Sequence, residues 1–187
     1  MALQAIDLTH APGLQKQARA LYLTAFPKEE RLPWWILQFN ARRRDINLTA
    51  FIDGDIFCGF TASVTVESLH FLLFFAIADN QRGKGYGSSI LQMLRTEHKT
   101  VALNVELLDP SAENYAQRKR RFAFYQRNGF ADTRYHVWEV GGKFRVLSTD
   151  AVLDVAQYKK IFKKLTLGIW NVKLLPAQSA ANNETIL

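Results

Sequence analysis

The apolar run Leu69 to Ala78, followed almost at once by Gln81-Arg82-Gly83-Lys84-Gly85-Tyr86-Gly87-Ser88, restricts this chain more than any other stretch. Leu-His-Phe-Leu-Leu-Phe-Phe-Ala-Ile is apolar on both faces, the pattern of a central strand covered by helices. Gly83, Gly85 and Gly87 leave the backbone after it open, so successive N–H groups converge on one anion, and a helix starting at Tyr86 adds its positive end. Arg82 and Lys84 supply matching charge. The turn reads as a nest for a phosphate or diphosphate. It is not a Walker A loop, because no Lys follows the last glycine, and a dinucleotide fingerprint would need glycine at Ser88 or Ile90. The pattern it does meet is Arg-x-x-Gly-x-Gly, with Arg82, Gly85 and Gly87 in place and Gln81 in front.

Around this turn the sequence patterns as one α/β domain. At 187 residues, a chain of this size buries roughly 70% of its unfolded surface. Residues 4–8 read as a short strand, and Pro12 opens a helix with an apolar stripe of Leu14, Ala18, Leu21 and Ala25. A polar turn from Pro27 to Pro33 leads to a second helix, begun by Trp34, Trp35, Ile36, Leu37 and Phe39 and running out at Arg42-Arg43-Arg44. Strands at 48–53 and 56–66 form a hairpin about Asp53-Gly54, and a turn near Glu67-Ser68 leads into the central strand. Ile90, Leu91 and Leu94 give the helix at 86–98 its apolar face, and the strand at 101–108 is stopped by Asp109-Pro110. A basic helix at 113–128 closes on Asn128-Gly129, and Arg134–Val140 and Lys143–Leu147 form a hairpin about Gly141-Gly142. Residues 149–165 form a last helix, with Val155, Tyr158, Phe162 and Leu165 on one side and lysines on another. The polar tail from Pro176 is expected to be mobile.

Composition narrows the function. No apolar run approaches the roughly 20 residues of a membrane helix, and no basic stretch followed by an apolar one opens the chain, so a cytoplasmic protein is expected. The single cysteine, Cys58, lies in an apolar stretch and is expected to be a buried packing thiol. Net charge +7 suits an anionic ligand. The basic residues are scattered without a nucleic-acid module, which favours a nucleotide cofactor over RNA or DNA. No His, Cys and carboxylate set has metal-ligand spacing, so no metal is expected.

The glycine turn resembles the coenzyme A loop of the GCN5-related N-acetyltransferase (GNAT) superfamily. A second motif, Phe124-Tyr125-Gln126-Arg127-Asn128-Gly129-Phe130, resembles its Phe-Tyr-x-x-x-Gly-Phe. The resemblance implies a GNAT-like acyl-CoA N-acyltransferase fold, with a central mixed, largely antiparallel sheet flanked by helices. It places the domain at 1–148, a C-terminal helical extension packed on the same domain at 149–175, and a flexible tail at 176–187. It also implies acetyl-CoA as co-substrate, and transfer of the acetyl group to a primary amine by direct attack in a ternary complex. The amine belongs to a small molecule or a peptide. The alternative is a non-catalytic module of the same fold that binds or senses coenzyme A. The C-terminal helix and the sheet edges offer surfaces for a homodimer.

By the same resemblance, the cofactor lies on Gln81, Arg82, Gly83, Lys84, Gly85, Tyr86, Gly87 and Ser88, and its pantetheine arm runs along the backbone of Phe75 and Ile77. The N–H of Ile77 is the candidate oxyanion donor, and Tyr125 matches the general acid that protonates the departing sulfur. Many members carry asparagine where this chain has Arg118, which leaves three outcomes open: the bond to the arm is lost, is made by Arg118, or passes to Asn114 one turn earlier, with Arg118 to Arg121 as alternative contacts for the nucleotide phosphate. Glu106, near the end of the strand after the loop helix, is the first candidate base, and Glu67 is the second. Glu29, Glu30, Trp34 and Trp35 are the candidate acceptor contacts.

Overall fold

The computed structural model describes residues 2–43, 46–139, 142–165 and 173–176. Eight strands, β1 (Leu3–Asp7), β2 (Asn47–Asp53), β3 (Ile56–Val66), β4 (Leu69–Ile77), β5 (Thr100–Glu106), β6 (Ala131–Glu139), β7 (Gly142–Ser148) and β8 (Lys173–Pro176), form one sheet in the order β1-β2-β3-β4-β5-β7-β6-β8. Every described pairing is antiparallel except that of β4 with β5. The helices are α1 (Pro12–Ala25), α2 (Trp34–Arg42), α3 (Tyr86–Glu97), α4 (Tyr115–Arg127) and α5 (Val155–Leu165).

Two apolar clusters sit on the two faces of this mixed α/β sheet, as strand alternation requires. On one, Ala18, Leu21 and Tyr22 of α1, Leu37 of α2 and Tyr158, Ile161 and Phe162 of α5 pack on Leu48, Phe60, Ala62 and Phe71. On the other, Ile90, Leu91 and Leu94 of α3 and Tyr125 of α4 pack on Leu72, Val101, Leu103 and Val105. Cys58 is a buried free thiol among them. No described helix is long and apolar enough to cross a membrane.

Most elements lie where periodicity predicts them, and the differences have local causes. The first strand ends at Asp7, whose carboxylate accepts the Thr9 N–H and turns the chain so that Leu8 drops into the core. The last helix starts at Val155 rather than near 149, because Asp154 caps it by accepting the Gln157 N–H at 3.0 Å. Strand β6 begins at Ala131, earlier than expected. Its alternation is broken by a register shift between Asp132 and His136 and by Arg134 at φ +59°. Strand β8 replaces the end of the helical extension expected up to residue 175, since Lys-Leu-Leu-Pro is too short to pattern and owes its strand state to pairing with β6. Residues 140–141, where the hairpin turn is expected, Arg44, residues 166–172 of the expected helical extension and the tail beyond Pro176 lie outside the described residues.

Candidate active site at a strand splay

Strands β4 and β5 are paired only from Leu69 to Leu72 against Thr100 to Leu103. Beyond that point β4 continues along β3 and β5 continues along β7, so the two part and leave a wedge in the sheet. The Ala78 N–H donates to the Cys58 carbonyl at 2.9 Å, toward β3. Successive N–H groups of a strand alternate between its edges, so those of Ile77 and Phe75 face the wedge. A cleft of about 880 Å³ passes through it, from the glycine turn to the face of α1 and α5.

The turn itself is built by a few side chains. Gly83 and Gly85 adopt φ +77° and +88°, a conformation side chains disfavour, and both positions are open around a notional Cβ. Gly87 is needed for a different reason, because a Cβ there would meet the Phe124 ring of α4 at 3.1 Å. Lys84 donates to Gln81 Oε1 at 3.0 Å, and Arg82 pairs with Asp79 at 2.8 Å. The Tyr86 hydroxyl donates to Asp53 Oδ2 at 2.9 Å, tying the start of α3 to the β2–β3 hairpin. Gln81, Arg82, Gly83, Gly85, Tyr86, Gly87 and Ser88 all line the cleft with Phe75 and Ile77, whereas Lys84 braces the turn through Gln81.

Helix α4 supplies the opposite wall through Gln117, Arg120, Arg121, Phe124 and Tyr125, joined by Asn114 just before its first turn. Tyr125 is wedged between Phe124 and Phe130, and burial pushes its phenol up to about 12, which keeps it protonated. Arg118 turns away from the cleft and braces Asn114, donating to Asn114 Oδ1 at 2.6 Å and to the Leu107 carbonyl at 3.1 Å. Asn114, not Arg118, lines the cavity. Glu106 is held by Arg121 through a direct ion pair, by Asn114 Nδ2 at 3.2 Å and by Arg118 at 3.6 Å. Gln117 is a wall residue that the motifs pass over; its i, i+4 relation to Arg121 on the helix that carries Tyr125 was the available signal.

Other expectations separate here. Glu67 sits at the β3–β4 turn, at the opposite end of β4 from the glycine turn, where Lys160 binds it at 2.6 Å. The length of β4 therefore keeps it out of the cleft, and it is withdrawn as a candidate base. Trp34 is packed in the core against Tyr22, Trp35 is solvent-exposed, and neither Trp nor Glu29 lines the cavity. Glu30 does, together with Phe26 and Leu32. Partial burial pushes the Glu30 carboxyl up, the neighbouring Glu106 reinforcing the effect and Arg121 and Arg118 opposing it. Among the described residues no cluster of three or more His, Cys, Asp and Glu stands ready to hold a metal.

The arrangement of splayed strands, glycine turn and tyrosine-bearing helix has counterparts among known proteins. Residues 44–132 match the model of the acetyltransferase (GNAT) domain. Over that stretch, just under half of its length, the chain resembles the GNAT superfamily. A GNAT-family structure from Bacteroides thetaiotaomicron superposes with a TM-score of 0.67 at 23% identity, covering 91% of this chain and 100% of that one. The structure of an aminoglycoside 6'-N-acetyltransferase complexed with coenzyme A gives 0.63 at 16% identity over 79% and 96% of the two chains. The ribosomal-protein-S18-alanine N-acetyltransferase of Escherichia coli gives 0.57 at 17% over 81% and 95%. At these identities the structures share the GNAT fold with this chain. Among curated proteins, "Putative acetyltransferase YjbC" of Bacillus subtilis (strain 168) is 29% identical over 86 residues, 46% of this chain and 41% of YjbC. The match thus spans less than half of that relative.

Proposed function

We propose that this protein is an acetyl-CoA-dependent N-acetyltransferase that moves the acetyl group to a primary amine by direct attack in a ternary complex. The reading rests on one observation, the cleft that joins the glycine turn, the free Phe75 and Ile77 edge and Tyr125. Structural relatives whose names record bound coenzyme A and amine acetylation support it. The catalytic domain is proposed to be residues 1–148, with α5 as an extension.

Acetyl-CoA supplies an activated thioester. The backbone around Gly83, Gly85 and Gly87 would receive its diphosphate, with Arg82 and Arg120 adding charge and Asn114 reaching the pantetheine arm. The Ile77 N–H would receive the carbonyl oxygen as it gains charge, an interaction worth about 3 kcal/mol in related sites. The amine nitrogen bonds to the carbonyl carbon and the carbon–sulfur bond breaks. Tyr125 would give a proton to the sulfur; of the two protons that the ammonium loses on becoming an amide, a carboxylate, with Glu106 the first candidate, would take one and the other would restore the Tyr125 phenol. The products are an amide and free coenzyme A. Holding amine and thioester together supplies the larger share, roughly 7–11 kcal/mol by analogy with oriented intramolecular reactions.

Thiol release from acetyl-CoA with an amine panel, run beside calorimetric titration of the cofactor, tests this reading. Binding with turnover supports it. Binding without turnover on any amine favours the coenzyme A-sensing module, a reading that gains from the two arginines already engaged by Glu106. No cofactor binding overturns both.

A further inference from the structure

The half of the cleft remote from the glycine turn has a composition that selects its occupant. Phe26 at the end of α1, Phe71 and Leu73 on β4, Phe144 on β7 and Phe162 and Leu165 on α5 give it apolar walls. The charged groups there are few. Glu106 is already held by Arg121 and Arg118, whereas Glu30 has no ion-pair partner among the described residues and lies within electrostatic reach of all three and of Glu29. A polycation or a heavily hydroxylated amine would leave most of its polar groups against aromatic rings, with their hydration lost and nothing returned. An amine with one charge and an apolar body satisfies both surfaces.

We infer that the acceptor, on the N-acetyltransferase reading proposed above, is a primary amine carried on an aromatic or branched-alkyl body, and that Glu30 faces its ammonium group. The body rests against Phe26, Phe144, Phe162 and Leu165, and the nitrogen is turned toward the wedge where β4 and β5 part. Two of these walls come from α5, outside the stretch that matches the GNAT domain model, so the extension takes part in choosing the substrate. Partial burial of Glu30 also raises its affinity for a proton, which suits a group that accepts one from the incoming ammonium.

The full-length protein is assayed by thiol release from acetyl-CoA with 2-phenylethylamine, isoamylamine, spermidine and kanamycin. Binding of each amine to the coenzyme A-loaded protein is followed by calorimetry. Expected is a kcat/KM at least tenfold higher for 2-phenylethylamine and isoamylamine than for the other two, since one methylene in an apolar pocket changes it about 10–200-fold. Leu165→Glu, at the partly exposed end of α5, should raise KM for the apolar amines at least tenfold and lower kcat less. Glu30→Gln should raise KM for every amine and flatten the acidic limb of the kcat/KM profile, which a merely structural residue would not do. Thermal unfolding confirms that each variant is folded.

Preference for spermidine or kanamycin overturns the inference while leaving the N-acetyltransferase reading intact. Turnover of all amines alike with only a longer acyl-CoA overturns the inference together with the acetyl donor, since the chamber would then hold the acyl chain. Cofactor binding with neither turnover nor binding of the apolar amines overturns both.

Discussion

Gly87 and Phe124 are packed so that a methyl group on the glycine would come within 3.1 Å of the phenyl ring. The glycine turn and α4 therefore set each other's position, and the cleft between them depends on that contact. For Gly87→Ala, overpacking of roughly 1–3 kcal/mol is offset in part by about 1 kcal/mol of helix propensity. The expected result is a small change in unfolding free energy with a clear rise in the coenzyme A dissociation constant. Gly85→Ala acts through its positive φ and should cost about 1–2 kcal/mol in denaturant titration.

Tyr125→Phe keeps the ring between Phe124 and Phe130 and removes the proton. Thiol release should fall at least about a hundredfold, the lower bound for a lost general acid. Cofactor affinity measured by calorimetry should stay within about twofold, far below the tenfold that 1.4 kcal/mol represents.

Glu106 joins β5 to α4, so Glu106→Gln has two readouts. Loss of a charge-assisted pairing should lower stability by about 1–3 kcal/mol, measured by denaturant unfolding. If Glu106 also accepts the proton, kcat falls in the folded variant; stability loss with unchanged kcat would assign it to holding α4 alone.

His70 gives the fold a defined pH dependence. It is almost fully buried, stacked on His98 at 3.8 Å, with Nδ1 2.9 Å from the Thr65 hydroxyl and Nε2 unpartnered. Burial, with a smaller repulsion from His98, pushes its imidazole down to about 3. The unfolded chain takes up the proton near pH 6.5, before the folded one does, so stability is complete above that pH and declines as the pH falls toward 3. From pH 7.5 to pH 5 the expected loss from His70 is about 2 kcal/mol. Chemical denaturation across this range should show it, and His70→Phe should flatten the slope.

Arg120 of α4 lines the cleft that, on the proposed reading, the diphosphate would enter. Arg120→Ala should weaken coenzyme A binding about tenfold, and the deficit should narrow as salt is raised, because salt screens the lost attraction. Titrations at two ionic strengths check both.

The sequence by itself determined the sheet's central strand, the glycine turn and the tyrosine-bearing helix, because each is written in contiguous residues: an apolar run, φ-demanding glycines, a helical stripe ending in Asn128-Gly129. It also placed Glu30 and Glu106 among the candidates, without showing that they face one cavity. Only the tertiary structure decided that Trp34 is core and Trp35 solvent, although the two are adjacent, because one helical step of about 100° carries a side chain from the buried face to the exposed one. Tertiary structure alone also put Glu67 at the far end of β4 from the glycine turn, had Arg118 brace Asn114, and brought Phe162 and Leu165 of α5 to the cleft. Those relations depend on strand length, helix phase and long-range packing, and no local pattern of residues encodes them.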